Sequence, residues 1–208
     1  MVKVQGPMMS FAASGTLADT AVFSSWKGRP YVRNRVVPAN PKTAAQIGVR
    51  ASLAYLSRAW SNLSTASQNS WKDDADAGQI SPFNQFVKHN QTRWRNYQFP
   101  QQQSGATEGG TSPTLGTMTA QVEGRQVTLT VPVSARNDGW TLSIHVSQTN
   151  GFADNFNNAK ALVEIPSSGA AAVTLGPLDP GTYYARYNSG TTTGKKGTPS
   201  AQISFTIA

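Results

Sequence analysis

Gln126-Val127-Thr128-Leu129-Thr130-Val131-Pro132-Val133 sets an apolar side chain at every second position. Side chains on a strand point alternately to its two faces, so this octet turns one face to a core and leaves the other polar. The same period of two recurs on both sides of it. It predicts strands at Met118–Val122, Gln126–Val133, Trp140–Ser147, Ala161–Ile165, Ala171–Leu175, Thr182–Tyr187 and Ile203–Ile207. Glu123-Gly124-Arg125 and Asp138-Gly139 mark turns between them. Short strands at this spacing, filling residues 114–208, predict an all-β sandwich of two antiparallel sheets.

The stretch Leu178-Asp179-Pro180-Gly181-Thr182-Tyr183-Tyr184-Ala185-Arg186-Tyr187 resembles the Leu-x-Pro-Gly-Thr-x-Tyr segment that leads into the sixth strand of fibronectin type III domains. The resemblance implies an immunoglobulin-like sandwich with a core tyrosine. By spacing that tyrosine is Tyr184, and Tyr183 faces outward. The tryptophan that this family carries on its second strand is missing from Gln126–Val133.

Working back from the sandwich, residues 100–113 are polar, glycine-rich and almost free of bulky apolar side chains, which predicts a flexible linker. Residues 41–99 read as a small helical module. Asn40-Pro41 supplies an N-cap and a first-turn proline, and Thr43 with Gln46 offers an alternative capping box. Val49, Leu53, Leu56, Trp60 and Leu63 then recur at helical spacing, as one face. Ser64 caps a short helix carrying Trp71 and Ala75 and ending near Gly78. Ser81-Pro82 opens a third with Phe83, Phe86, Val87, Asn90 and Trp94 on one side. Trp60, Trp71 and Trp94 are the candidate core of this helical hairpin.

Residues 1–40 read as an extended arm with a β-hairpin. Ala21–Trp26 is one strand, Lys27-Gly28 the turn, and Arg29–Val37 the return. Arg29, Tyr31, Arg33 and Arg35 share one face; Pro30, Val32, Asn34 and Val36 share the other, and Pro30 predicts an edge strand. A lone hairpin is marginal in water, so the arm needs a surface to pack on. The expected fold is therefore α+β and multidomain: arm and hairpin, helical hairpin, linker, sandwich.

Charge is divided unevenly along the 208 residues. Residues 1–100 hold 12 Lys+Arg and 4 Asp+Glu, a net of +8, whereas residues 101–208 hold 6 of each. A basic field confined to one half predicts an acidic partner, either a protein surface or a nucleic acid. The absence of cysteine excludes disulfides, thiolate metal sites and cysteine nucleophiles. MVKVQGPMMSFAASG has neither the charged start nor the apolar run of a secretion signal, and no apolar stretch has membrane-spanning length, which predicts a soluble protein made in the cytoplasm.

Chemistry-bearing constellations are few. His89 and His145 lie in different predicted domains without flanking acids, and read as ordinary surface or half-buried histidines. Asp73, Asp74 and Asp76 are consecutive carboxylates near a helix end and do not form the oxygen cage a hard cation needs. Phosphate-loop, dinucleotide and Gly-x-Ser-x-Gly motifs are absent. Trp140, Phe152 and Phe156 offer a sugar-stacking surface only if they are exposed. No cofactor, metal or catalytic residue is expected. The remaining signal is Trp26, Lys27, Arg29, Tyr31, Arg33 and Arg35, with Arg50 next: arginines interleaved with aromatics, suited to an acidic protein groove or to phosphates and bases.

Trp26-Lys27-Gly28-Arg29-Pro30-Tyr31-Val32-Arg33, then Asn40-Pro41-Lys42-Thr43-Ala44-Ala45-Gln46 with Arg50, Leu63-Ser64 and Trp71, resemble a family of uncharacterised bacteriophage and prophage proteins with the pattern Trp-Lys-Gly-x-x-Tyr-x-Arg followed by Asn-Pro-x-Thr-x-x-Gln. The resemblance covers roughly residues 12–97 and brings no activity with it. It implies a phage setting and a virion component. The expected function is that of a non-enzymatic accessory capsid protein, for decoration or cement, docking on major capsid proteins and homo-oligomeric. A tail or neck component is the first alternative and a nucleic-acid-binding protein the second.

Overall fold

The computed structural model describes residues 2–3, 14–17, 20–40 and 43–208, the first pair by backbone only. The fold is α+β and rich in antiparallel sheet, and the chain forms two compact units, Met1–Pro41 and Lys42–Ala208.

The first unit is a four-stranded antiparallel sheet of β1 (Val2–Lys3), β2 (Gly15–Leu17), β3 (Ala21–Trp26) and β4 (Arg29–Asn34), in the order β1-β4-β3-β2. Lys27 and Gly28 join β3 to β4 with φ of 49° and 73°. Two left-handed residues in a two-residue loop twist with the strands, and glycine at the second position adopts that geometry without a side-chain clash. The expectation of an edge strand at Pro30 is not met, because β1 lies beside β4. Since β1 pairs only Tyr31 and Val32, the missing Pro30 N–H breaks no ladder bond on that side. The strand also ends earlier than expected, at Asn34.

The second unit holds helices α1 (Ala44–Asn62), α2 (Thr65–Asn69), α3 (Lys72–Ala77) and α4 (Pro82–Arg95), then β5 (Thr114–Leu115), β6 (Thr119–Glu123), β7 (Gln126–Ala135), β8 (Gly139–Ser147), β9 (Ala159–Glu164), β10 (Gly169–Leu175), β11 (Gly181–Thr191) and β12 (Ile203–Ile207). Pro41 lies outside the described residues, and it is the alternative cap that starts α1: Thr43 Oγ1 accepts from the Gln46 N–H. Ser64 and Ser81 cap α2 and α4 as expected, and the helix expected between them is broken at Trp71 into α2 and α3. Ser81 Oγ accepts from the Asn84 N–H at 3.2 Å. Ser81→Ala should therefore cost about 1 kcal/mol, read as a lowered urea midpoint at unchanged slope.

One sheet runs β10-β7, with β6 and β5 both paired to β7; the other runs β12-β11-β8-β9. Their facing sides share one core, in which Val127, Leu129 and Val131 of β7 meet Leu142, Ile144 and Val146 of β8 and Ala185 and Ile207 from β11 and β12. The tyrosine assignment corrects by one position. Tyr183 points inward, stacks on Phe205 with centroids 5.6 Å apart, and donates its hydroxyl to the Asp179 carbonyl at 2.9 Å; Tyr184 is only half-buried. Spacing from the Pro-Gly turn fixes which residue of a strand comes first, but not which face it shows.

A second core joins the helices to the sheet. Tyr55, Leu56 and Ala59 of α1, Phe86 and Trp94 of α4, Trp71 and Phe99 cluster with Trp140, Ala159 and Leu162 of β8 and β9. The strand β8 is thus buried on both sides, with Leu142, Ile144 and Val146 facing the sandwich and Thr141, Ser143 and His145 facing the helical layer. Helix α1 is rotated from the expected face. Gly48, Ser52, Tyr55, Leu56 and Ala59 are inward, whereas Leu53 is exposed. Small residues let the helix lie close: a Cβ at Gly48 would stand 3.1 Å from the Phe156 carbonyl oxygen.

Residues 100–113 do not form the expected free linker. Phe99 is fully buried, and the Gln101 N–H donates to Asn90 Oδ1 at 2.8 Å while Asn90 Nδ2 donates back to the Gln101 carbonyl at 3.0 Å. Further on, the Gln102 N–H meets the Thr192 carbonyl, and the Thr111 N–H meets Asp138 Oδ2. The polar composition that suits a solvated chain also suits a strap several of whose amides pair with its neighbours, as those of Gln101, Gln102, Ser104, Gly109 and Thr111 do.

Candidate functional site

Of the residues expected to dock, Trp26, Lys27, Arg29, Tyr31 and Arg33 lie together on the β3–β4 hairpin. Register pairs Trp26 with Arg29, Ser24 with Tyr31 and Val22 with Arg33. Opposed residues of an antiparallel pair share a face, so Trp26, Arg29, Tyr31 and Arg33 form one cationic–aromatic face. Phe23, Pro30 and Val32 share the other, apolar face. Trp26 is 67% exposed, with Lys27 Nζ 4.8 Å from its ring centroid.

Arg35 follows the end of β4, and its N–H donates to the Thr20 carbonyl at 2.8 Å. Arg50 stands on α1, in the other compact unit. Arg29 and Arg33 are exposed and make no ion pair among the described residues. None of residues 14–17 and 20–40 is buried, on either face of the sheet. A four-stranded sheet with an apolar face and no buried residue among those described by side chain lacks the area that normally offsets chain entropy.

The second unit contains a polar cluster that sequence reading missed. Ser143 Oγ lies 2.9 Å from His145 Nε2, and Tyr97 Oη lies 3.1 Å from the same nitrogen. A hydroxyl on an imidazole is the geometry of an activated nucleophile. Both residues are fully buried, however, and the Tyr97 ring lies edge-on to the imidazole, with centroids 5.5 Å apart. A substrate has no approach to the serine, and the cluster acts as structure: it satisfies polar groups that β8 turns toward the helical layer. Burial lowers the His145 pKa to about 3 and, as the largest cause, raises that of Tyr97. His145 was expected at or near the surface; the period of two on β8 places it correctly on the polar face, but that face is covered.

His89 is half-buried against Trp71, and its Nε2 lies 3.1 Å from Gln101 Oε1. Asp74 accepts a hydrogen bond from the Ser104 hydroxyl. Among the described residues no cluster of His, Asp and Glu fits a metal ion, and no helix is long and apolar enough to cross a membrane. Trp140 and Phe152 are 1% and 6% exposed, so the sugar-stacking surface considered from sequence does not exist.

No protein-family model and no curated protein matches the chain. Among solved structures it is similar to a DUF3823 family protein from Parabacteroides merdae, with 14% identity and a TM-score of 0.36 over 47% of this chain and 52% of that one. It is also similar to a beta-1,2-glucanase from Parabacteroides distasonis, with 12% identity and a TM-score of 0.38 over 50% of this chain and 14% of that one. A third, OgpA from Akkermansia muciniphila, has 14% identity and a TM-score of 0.34 over 49% and 29%. The match spans about half of the first of these proteins and less of the other two. Likenesses this weak bring neither a family nor a function to the chain.

Proposed function

We propose that the chain is a non-enzymatic structural protein of a bacteriophage particle, an accessory capsid component that docks through its basic N-terminal unit. The observation that carries this reading is the sheet β1–β4. It shows an aromatic and cationic face, has an apolar reverse, and buries none of its residues described by side chain. Such a sheet gains its stability from a neighbour's surface, and its arginines and tryptophan are the anchors that an acidic protein groove takes up. The resemblance of residues 12–97 to phage and prophage proteins supplies the setting. The sandwich, read as immunoglobulin-like from its strand order and from the Tyr183 hydroxyl bonded back to Asp179, projects outward as added mass. Placement at the tail or neck uses the same docking face and differs only in copy number.

The test is charge reversal. The triple variant Arg29→Glu, Arg33→Glu and Arg35→Glu should fold with unchanged circular dichroism yet fall at least about tenfold in copies per purified particle, as expected when several anchoring charges oppose an acidic surface. Normal incorporation of the triple variant overturns the docking assignment. Micromolar DNA binding by the unmodified protein that falls steeply with salt, and is lost in the variant, would assign the face to nucleic acid instead.

A further inference from the structure

A cleft of about 530 Å³ opens in the Lys42–Ala208 unit between the first turn of α1, the end of β8, β9 and the loop from β10 to β11. Small-ligand sites typically span about 300–1,000 Å³. Ile47, Val146 and Leu175 give it apolar walls. Ser147, Asn158, Asp179 and Tyr183 on its lining are hydrogen-bonded within the chain, whereas Lys160, Gln148 and Asn157 are not. Lys160 is half-buried, and burial lowers its pKa. No described carboxylate pairs with it: Asp179, the acid on the wall, is held by Arg125 at 2.7 Å. Gln148 and Asn157 line the cleft with carboxamides that bond to no described residue.

From this arrangement we infer that the cleft binds a small hydroxylated carboxylate of sugar-acid size. An ammonium group half removed from water and lacking a counter-charge gains most from an anion that follows it in, through a charge-assisted hydrogen bond. Each carboxamide offers a donor and an acceptor side by side, which matches the hydroxyls of a polyol. The apolar walls take its C–H face. A carboxylate fits better than a phosphate, because Lys160 is the only cation among the described lining residues and a dianion calls for more than one.

The inference is independent of the docking reading, since none of the docking residues lines the cleft. It is tested by titrating the ¹⁵N-labelled full chain with glucuronate, and with glucose as the neutral analogue. Glucuronate should shift the side-chain amide signals of Gln148 and Asn157 with millimolar saturation, and glucose at equal concentration should not. Lys160→Met and Lys160→Gln should each weaken glucuronate binding about tenfold, the loss of one charge-assisted contact, while Lys160→Arg retains it. The two charge-removing variants differ in shape, so at least one should keep the unmodified spectrum elsewhere. Absence of shifts with glucuronate, equal shifts with glucose, or unchanged affinity in a folded charge-removing variant overturns the inference.

Discussion

Gly190→Ala should lower the thermal midpoint by roughly 10 °C, about 3 kcal/mol at the sensitivity of a chain this long. The cause is steric rather than conformational. A Cβ at Gly190 would overlap the ring of Phe99. That ring has nowhere to go: it is fully buried and lies edge-on to Trp94, with centroids 5.7 Å apart. Phe99→Ala should be destabilising by about 3–5 kcal/mol through the void it leaves. The double variant should cost at least about 1 kcal/mol less than the sum, because the new methyl fills part of that void. Calorimetry on the four proteins reads this directly. Strict additivity would show that the strap at residues 99–102 does not clamp onto β11.

The second large effect is acid lability. In an unfolded chain His145 titrates near 6.5, whereas burial holds it down to about 3 in the folded protein, with Lys196 and Arg186 adding to the depression and an Asn155 backbone contact opposing it. As pH falls below 6.5, the unfolded chain takes up a proton that the folded one refuses. Stability from this residue is therefore full above about pH 6.5 and is lost progressively toward pH 3. The slope approaches about 1.4 kcal/mol per pH unit, roughly 5 kcal/mol over the window, against a typical total of about 5–15 kcal/mol. Urea unfolding at pH 7 and pH 4.5 should show a drop that His145→Gln reduces by roughly 2–3 kcal/mol. An equal drop in the variant would mean that other groups carry the acid sensitivity.

The strands of the sandwich were legible because alternation is a one-dimensional signal that survives without any knowledge of neighbours. The caps at Ser64 and Ser81 were legible for the same reason: a short polar side chain, then a run of helix formers. The hairpin turn at Lys27-Gly28 belongs with them. What could not be read was whatever a third layer decides. Thr141, Ser143 and His145 look like the wet side of a two-layer sandwich, and become buried only because Tyr55 and Tyr97 arrive with hydroxyls to meet them, Tyr55 Oη lying 2.7 Å from Thr141 Oγ1. The face of α1 is not legible from the spacing of bulky residues, because fit decides it: Gly48 admits Phe156, and Ala59 is buried. Composition does not tell a linker from a strap in the glycine- and glutamine-rich stretch, because it is the same whether the amides bond to water or to protein. The docking residues were brought together on the hairpin by a period of two, save Arg35, which lies past the strand end, and Arg50, which belongs to the other unit.

Because β8 is a wall with two tenants, neither side of it is self-sufficient. Cutting the chain near residue 113 to isolate the sandwich would strip Tyr55, Tyr97 and Phe99 from β8 and β11 and leave an imidazole, two hydroxyls and a bare glycine facing water where aromatic rings had been. Helices and sandwich should therefore melt in a single step, with one transition in calorimetry.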